Sequence, residues 1–585
     1  MDAGCGGGRS RARPPVPRER GERRPAPGPR RARGVRALGR RAWRHRHSEG
    51  AVRRRRCPAQ DHRRRPTAVP RRPPRVGRLI GASALRENLA LAALLSVSAI
   101  GLALAFPRTD WDGVVWLLVA PVIVTALSRA PRAALGWGWL FGTVFFLVLL
   151  RWLGYTFGVY SAIPWPLTWV PILALAAYCG LYVGGFAWAV SWIGRRRAPG
   201  LALAAAPFLW VAGEWVRSHL LGGFPWGTLG YSQYLRLPII QIAELGGVHA
   251  VSFVLVAVNA AAAGCLVLPW RGALTGALAC GALLAATLGF GTARLATPPR
   301  PGEVTVAIMQ PAIEQPLKFD PTYVATTLGI YSSLTRRASA EHPQLVVWPE
   351  TAVATPLRRD PGLVDGLIDL ARTLRVALLV GSIDVNDTTP PKLTNSAFLL
   401  TEHGVVERYD KIHLVPFGEF VPFSSLLGFI RGWAEFISEL EPGSNAVVFQ
   451  GPPAPFGVVI CYEGIFPELV REFVRGGARL IVNMTNDAWF GRTDGPWQHL
   501  AMYPLRAVEH RTAVVRAANT GVSAFIAPTG QILRRLSLSR RAIMVERLPL
   551  RSGETLYSKF GEWLAYLALG VTAGTLAASA RGWRR

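Results

Sequence analysis

FGVVICYEGIFPELVREFVRGGARLIVNMTN, residues 456–486, sets the fold class. FGVVICYEG (456–464) opens on a short apolar run bounded by a turn. PELVREFVRGG then reads as a helix begun by Pro467, and RLIVNMTN (479–486) as a second apolar strand. Strand, helix and strand in that order is the alternation of an α/β domain whose apolar strands are buried against helices. The pattern extends both ways. VTVAIMQ (304–310), a helix near 322–340, QLVVWPE (344–350) and a helix near 361–374 come first, followed by strand-like VALLVGSIDV (376–385), NSAFLLT (395–401) and GVVERYDKIHLVP (404–416). Downstream lie a helix near 499–511 and the strands TAVVRAAN and VSAFIAPTG. About 250 residues of this kind hold a core of their own.

Outside that stretch the chain is written for a membrane. Half of its 585 residues are hydrophobic and 20 are Trp. Seven apolar runs precede the α/β region, at about 88–106, 113–128, 133–153, 167–193, 201–219, 239–268 and 273–294, and an eighth at about 561–580 closes the chain, each measured against the roughly 20 residues that cross a bilayer. The expected architecture is therefore a membrane domain of about eight transmembrane helices plus an α/β sandwich. Its divisions fall at 1–78 (tail), 79–298 (seven membrane helices), 299–550 (α/β domain) and 551–585 (last helix and end).

The net charge of +31 suggests nucleic acid until it is divided: residues 1–78 carry 26 Arg against 5 acidic residues, about two thirds of the total. Nucleic-acid binding would rest on that Arg/Pro/Gly tail alone, and none is expected. The tail cannot bury enough apolar surface to fold and lacks the apolar core of a secretory signal. It reads either as a cytoplasmic polybasic segment or as residues upstream of the true start. Arg129 and Arg132, Arg195–Arg197, Arg271, and Arg581, Arg584 and Arg585 follow every second span. Arg in short loops favours the cytoplasm, which puts both termini there and the α/β domain on the outer, periplasmic side of a bacterial inner membrane.

Between spans five and six, EWVRSHLLGGFPWGTLGYSQY (214–234) forms an aromatic belt. Its Glu214 and Arg217 read either as a pair one helical turn apart or as groups facing a lipid headgroup. Gly180 and Gly184, on the fourth span, are spaced for close helix packing.

Among six cysteines, Cys461 is alone in the α/β domain, so no disulfide forms there. It ends a strand and precedes a helix N-terminus, a corner that favours a thiolate. A thiol nucleophile needs a base and an oxyanion partner. His413, His499 and His510 allow a Cys–His arrangement, but none lies in a run built around it. Two other strand ends supply a carboxylate, Glu350 in LVVWPET, and an ammonium, Lys411 in RYDKIHLVPFGEFVP, with Glu419 eight residues on.

WPE with Glu350, DKIHLVPFGEFVP with Lys411 and CYEGIFPE with Cys461, in that order, resemble the Glu-Lys-Cys triad of the nitrilase, or carbon-nitrogen hydrolase, superfamily. The likeness is closer to its membrane branch, the apolipoprotein N-acyltransferases, and covers GFPWG, GYSQ, MQPAIEQPLKFDP, TNDAWFG and the spans. The resemblance implies an αββα sandwich and a phospholipid acyl donor, most plainly phosphatidylethanolamine. It also implies a thioester on Cys461 formed with Glu350 as base and Lys411 as oxyanion partner. Transfer to the α-amine of an S-diacylglyceryl cysteine on an apolipoprotein would follow. It requires no cofactor and no metal, and nothing in it demands more than a monomer. Glu419, Tyr462 and Glu463 are implied site residues; Asn486, Asp487 and Trp489 would support the pocket wall. Phe319 stands where the family often has Trp.

Two other function classes stay in view. A membrane-tethered nitrilase-type amidase would carry the same triad but needs only one span. A transporter or lipid-binding scaffold with a dead catalytic domain would not need three competent side chains. The aromatic segment FSSLLGFIRGWAEFISEL (423–440) reads as a lid dipping into lipid or as a surface helix.

Overall fold

The computed structural model describes residues 79–296, 302–422, 425, 428 and 439–581. The Arg-rich tail and almost all of the 423–440 segment lie outside them. Val76–Arg585 form one compact unit.

Seven described helices are long and apolar enough to cross a membrane: residues 84–104, 131–149, 169–196, 199–222, 248–267, 270–296 and 563–581. The expected second span is instead a broken pair, Val115–Leu118 and Ala120–Ser128. Pro121 has no N–H to continue a ladder, and the side chain of Asn259 fills the break. Its Oδ1 accepts from the N–H groups of Val119 and Ala120, both at 2.9 Å, and its Nδ2 donates to the Val115 carbonyl at 2.9 Å. The long sixth run also divides. Gly247, at φ +69°, separates the span Val248–Val267 from two short helices, Leu237–Ile240 and Ala243–Gly246. Close packing at Gly180 is as expected, since a Cβ there would meet Thr143 Oγ1 at 2.5 Å.

The α/β domain contains twelve described strands: β1 (Glu303–Gln310), β2 (Leu345–Val347), β3 (Ala377–Val385), β4 (Leu393–Thr401), β5 (Gly404–Asp410), β6 (Val448–Phe449), β7 (Phe456–Ile460), β8 (Leu480–Thr485), β9 (Val514–Ala518), β10 (Ala524–Ile526), β11 (Ile532–Arg535) and β12 (Ala542–Pro549). They form two six-stranded sheets, ordered β12-β1-β2-β3-β4-β5 and β11-β10-β9-β8-β7-β6. Each has parallel centre strands, β1-β2-β3 and β7-β8-β9. Alternation along the strands builds two cores. Val306, Ile308, Val347 and Leu379 join the core that contains Val458, Ile460 and Ile481 of the second sheet, whereas Ala307, Met309, Val346 and Leu378 pack with Leu334, Leu367 and Leu370 of helices Val324–Ala338 and Pro361–Leu374. This is an αββα sandwich, the expected fold class. The single helix expected near 499–511 is two, Gly495–Leu500 and Tyr503–His510, because Pro504 restarts the ladder.

The core under the second sheet is continuous with the membrane helices. One buried side chain shows how the join is made. Gln498 Oε1 accepts from the indole N–H groups of Trp152 (3.2 Å) and Trp226 (2.8 Å), while its Nε2 donates to the carbonyls of Pro107 and Leu149, both at 3.2 Å. Three membrane-domain segments therefore converge on one residue of the α/β domain. Nearby, Gly491 at φ +57° lies where a Cβ would strike the Tyr155 ring at 2.4 Å.

Candidate active site

Glu350, Lys411 and Cys461 follow the C-terminal ends of β2, β5 and β7. Glu350 stands in a turn that presses on β3. A Cβ at Gly381 would lie 2.4 Å from the Pro349 carbonyl, so only glycine admits this approach. Both carboxylate oxygens of Glu350 accept hydrogen bonds, Oε1 from Asn395 Nδ2 and Oε2 from the Asn486 N–H, each at 2.8 Å. Lys411, 1% exposed, has its Nζ 3.5 Å from Glu350 Oε1 and donates to Glu419 Oε1 at 2.8 Å. Burial disfavours its charge, but the two carboxylates outweigh burial and lift its pKa above the usual lysine range.

Cys461 occupies the left-handed region at φ +53°, which costs a non-glycine residue of order 1–3 kcal/mol and marks sites where position is held by surroundings. Its carbonyl is held by Tyr503 Oη (3.2 Å) and Asn483 Nδ2 (3.4 Å). The thiolate expected at this corner is not favoured. Burial pushes the thiol well above its ordinary value, Glu350 adds to the rise, and Lys411 opposes it without prevailing. The resting group is a thiol.

Glu463 ties two strand ends together. Its Oε1 accepts from Tyr409 Oη (2.7 Å) and the N–H groups of Ile412 (2.6 Å) and His413 (3.1 Å), and its Oε2 accepts from the Ile460 N–H (2.7 Å). Burial pushes its pKa up to about 7, and these donors with Lys411 prevent a larger rise. Tyr462 reaches the Gly223 carbonyl of the GFPWG loop at 3.4 Å. Arg217 is not paired with Glu214 and does not face lipid: it is 2% exposed and donates to the carbonyls of Phe224 and Trp226, fixing the loop that Tyr462 touches. Glu214 accepts from Trp210 Nε1 (2.9 Å) and the Leu229 N–H (2.8 Å).

Asp487 lies in a buried network rather than in an open wall. It accepts from Arg516 at 2.7 Å and lies 3.0 Å from His499 Nδ1. Burial opposes its charge, but Arg516 and His499 hold its pKa down to about 2. His499 thus serves Asp487, His413 stacks on Phe466 at 4.6 Å, and His510 Nδ1 meets Ser558 Oγ at 2.9 Å. Trp489 packs edge-on to Tyr160 at 4.8 Å, and its carbonyl accepts from Thr156 Oγ1 at 2.9 Å.

Two residues escaped the sequence reading. Asn395 donates to both Glu350 (2.8 Å) and Glu419 (3.2 Å), joining the two carboxylates that flank Lys411. Lys318 is 3% exposed and donates to the Glu350 carbonyl at 2.7 Å, while Phe319 beside it is half exposed. Burial lowers the Lys318 pKa to about 8, against the pull of Glu350 and Cys461. Lys318 in LKFDP carried a signal in its apolar flanks; Asn395, inside a strand, carried none.

A carboxylate, an ammonium and a buried thiol at three strand ends of stacked sheets, set on membrane helices, define a membrane-bound enzyme of the carbon-nitrogen hydrolase type. The carbon-nitrogen hydrolase family model matches residues 305–556, and the model for the apolipoprotein N-acyltransferase N-terminal domain matches residues 98–261. Apolipoprotein N-acyltransferase of Geobacter metallireducens is 36% identical over 502 residues, which is 84% of this chain and 94% of that protein. Its counterpart in Rhizobium meliloti is 35% identical over 466 residues, 74% and 84% of the respective chains. Among solved structures, Saccharomyces cerevisiae Nit3, a member of branch 10 of the nitrilase superfamily, is 22% identical, with 43% of this chain and 93% of that chain covered at a TM-score of 0.34. The chain belongs to the apolipoprotein N-acyltransferase family.

Proposed function

We propose that the chain, an acyltransferase of bacterial lipoprotein maturation acting on phospholipid and lipoprotein substrates, works by a two-step transfer through Cys461. Glu350 takes the thiol proton, and Sγ attacks an ester carbonyl of a phospholipid, phosphatidylethanolamine first among donors. Lys411 stabilises the oxyanion. Glu350 then returns the proton to the departing alkoxide, leaving a lysophospholipid and a thioester. In the second half the α-amine of the S-diacylglyceryl cysteine of an apolipoprotein attacks the thioester, Glu350 handles the amine proton, and an N-acylated lipoprotein leaves with the free thiol restored.

The observation that carries this reading is the buried thiol, its pKa pushed up by burial, beside Glu350 and a lysine held charged by its neighbours Glu419 and Glu350. Such a thiol needs a base, and Glu350 is the carboxylate that raises its pKa. Glu419 and Asn395 position Lys411 and Glu350; Glu463 and Tyr462 shape the elbow; Asn486, Asp487 and Trp489 support it. Phe319, half exposed, offers an aromatic surface to an acyl chain.

The domain divisions 79–298, 299–550 and 551–585, a periplasmic catalytic domain and cytoplasmic termini are part of the same proposal. Support comes from the ends of the bundle. Arg195 donates to the Arg129 carbonyl at 3.0 Å and Arg197 to the Ala578 carbonyl, so three Arg-bearing segments meet at one end. Pro107 and the 152–160 segment touch the catalytic domain. The broken pair 115–128, only about 21 Å long, thus leads from the catalytic side to Arg129 and counts as the eighth passage. Every catalytic group comes from one chain, consistent with a monomer.

The test uses purified enzyme and acyl-labelled phosphatidylethanolamine without acceptor. A hydroxylamine-sensitive label on Cys461, absent in Cys461→Ser, is expected, and it should move to a diacylated lipopeptide on addition. Equal labelling of the Ser variant would overturn the mechanism, and free fatty acid as main product would favour a hydrolase.

A further inference from the structure

Below the nucleophile elbow, three elements meet through side chains that the acyl-transfer chemistry does not use. His219 ends the helix Pro199–His219, Glu468 is in the first turn of Pro467–Arg475, and Glu562 immediately precedes the last span, Trp563–Arg581. We propose that His219, Glu468 and Glu562 form a binding site for a divalent metal ion of the zinc class, which ties the helix following Cys461 to two membrane spans.

Geometry makes the first argument. His219 Nε2 is 2.7 Å from Glu468 Oε1 and 4.0 Å from Glu562 Oε2, and one ligand atom from each residue lies within 4.8 Å of the others. Tetrahedral zinc, with bonds of about 2.0–2.1 Å, places donor atoms about 3.3 Å apart. The two separations from His219 bracket that value, and all three ligand atoms lie within 4.8 Å of one another.

The imidazole is already oriented as a ligand. Its Nδ1 lies 2.8 Å from the Trp215 carbonyl, which can only accept, so Nδ1 carries a hydrogen; with no ion bound Nε2–H donates to Glu468 Oε1 at 2.7 Å, and an ion would take the place of that second hydrogen. Stacking on the Trp215 ring at 4.1 Å fixes the ring plane. A backbone carbonyl on the second nitrogen is the usual outer partner of a metal-bound histidine.

Independent of this, Glu562 is 5% exposed, and its Oε2, the atom nearest His219, finds no hydrogen-bond partner among the described residues. A buried carboxylate oxygen without a donor is costly, and a cation removes the cost. Its Oε1 accepts from Tyr557 Oη at 3.5 Å and lies 3.7 Å from His249 Nδ1. One imidazole with two carboxylates suits zinc better than calcium or magnesium, which favour all-oxygen shells. Three protein ligands leave a coordination position for water, and the partly exposed side chains of His219 and Glu468 give the ion a way in.

The competing state is an imidazolium shared by the two carboxylates, with no metal. Full-length enzyme in detergent is stripped with EDTA, exposed to Zn²⁺ or Mg²⁺, desalted, and its metal measured by inductively coupled plasma mass spectrometry alongside a thermal melt. His219→Gln and Glu468→Gln, both at partly exposed positions, should each retain about one zinc per chain less than wild type. Zinc should raise the melting temperature of wild type and of neither variant, and Mg²⁺ should do neither. Equal zinc retention in wild type and both variants overturns the site, as does a wild type whose melting is unmoved by zinc.

Discussion

Glu350→Gln separates chemistry from folding at the proposed base. Gln has the same shape, and its carbonyl can keep the Asn486 N–H now bound by Oε2 at 2.8 Å. Its NH₂ would then face Asn395 Nδ2 and Lys411 Nζ, both donors. Asn395 can answer by turning its amide, since its Oδ1 is buried with no partner among the described residues and would accept from the new NH₂. The turn gives up the 3.2 Å bond from Asn395 to Glu419, while Lys411 keeps Glu419 at 2.8 Å. The net cost to the fold is about 2–3 kcal/mol: a hydrogen bond to the Glu419 carboxylate is given up, and Lys411 loses one of its two carboxylates. The chemical cost is larger. With its pKa pushed far up by burial, Cys461 cannot ionise unaided, and removing a general base typically slows a step by about 10²–10⁴, or about 3–5 kcal/mol of barrier. The assay is the single-turnover rate of hydroxylamine-sensitive acylation of Cys461 by labelled phospholipid, with melting measured on the same sample. Acylation should fall at least a hundredfold while the protein still melts cooperatively, only several degrees lower. Acylation within tenfold of wild type would refute Glu350 as the base; a collapsed melt would refute the Asn395 compensation.

Gln498→Leu should loosen the join between domains by about 2–4 kcal/mol, because two indole N–H groups and two carbonyls lose their partner; an unchanged melting temperature in detergent would count against it. Glu463→Leu strands a tyrosine hydroxyl and three backbone N–H groups and should destabilise by about 3–5 kcal/mol, seen as lost monodisperse protein on size exclusion. Lys318 binds its proton less tightly folded, at about 8, than unfolded, near 10.5. The unfolded state therefore holds more protons between those values, and stability should rise from pH 8 to pH 10.5 by up to about 3 kcal/mol. Lys318→Met should flatten that rise in thermal melts, and a slope equal to wild type would refute it.

The parts of the site that were legible share one property: they are carried by local pattern. Glu350 and Cys461 each follow an apolar run, whereas Lys411 follows the mixed run GVVERYD and stood out through the family resemblance; the sandwich follows from the alternation around them. What stayed hidden depends on contacts across the fold. Pro121 signals a weak second span, yet only the tertiary structure brings Asn259 to the break. Gln498 lies in an ordinary short helix whose neighbours in space are more than 270 residues earlier in sequence. The thiolate expectation failed for a related reason: a helix N-terminus is visible in sequence, whereas complete burial of Cys461 beside Glu350 is not, and burial prevailed.

Lys318 explains why a site so buried can carry charge at all. Around one thiol the structure gathers two carboxylates, Glu350 and Glu419, and two ammonium groups, Lys411 and Lys318. Below about pH 8 Lys318 is protonated and adds a second positive charge to this group. In the proposed cycle, proton transfer moves one negative charge from Glu350 to Sγ, attack moves it to the carbonyl oxygen, and the departing lysophospholipid takes the proton that restores Glu350. Each step moves charge within the group and adds none, so the low-dielectric interior is never asked to hold a further charge, the expensive condition there. Without Lys318 the same group would be one unit more negative at every stage. Lys318→Met is thus expected to act in opposite directions on fold and function: it relieves the burial of an ammonium, and it leaves an uncompensated charge that hinders ionisation of Cys461. A variant that melts higher at pH 7 yet acylates more slowly is the signature of a charge retained for catalysis at the expense of stability; one that melts higher and acylates as fast as wild type would show that Lys318 has no part in the balance.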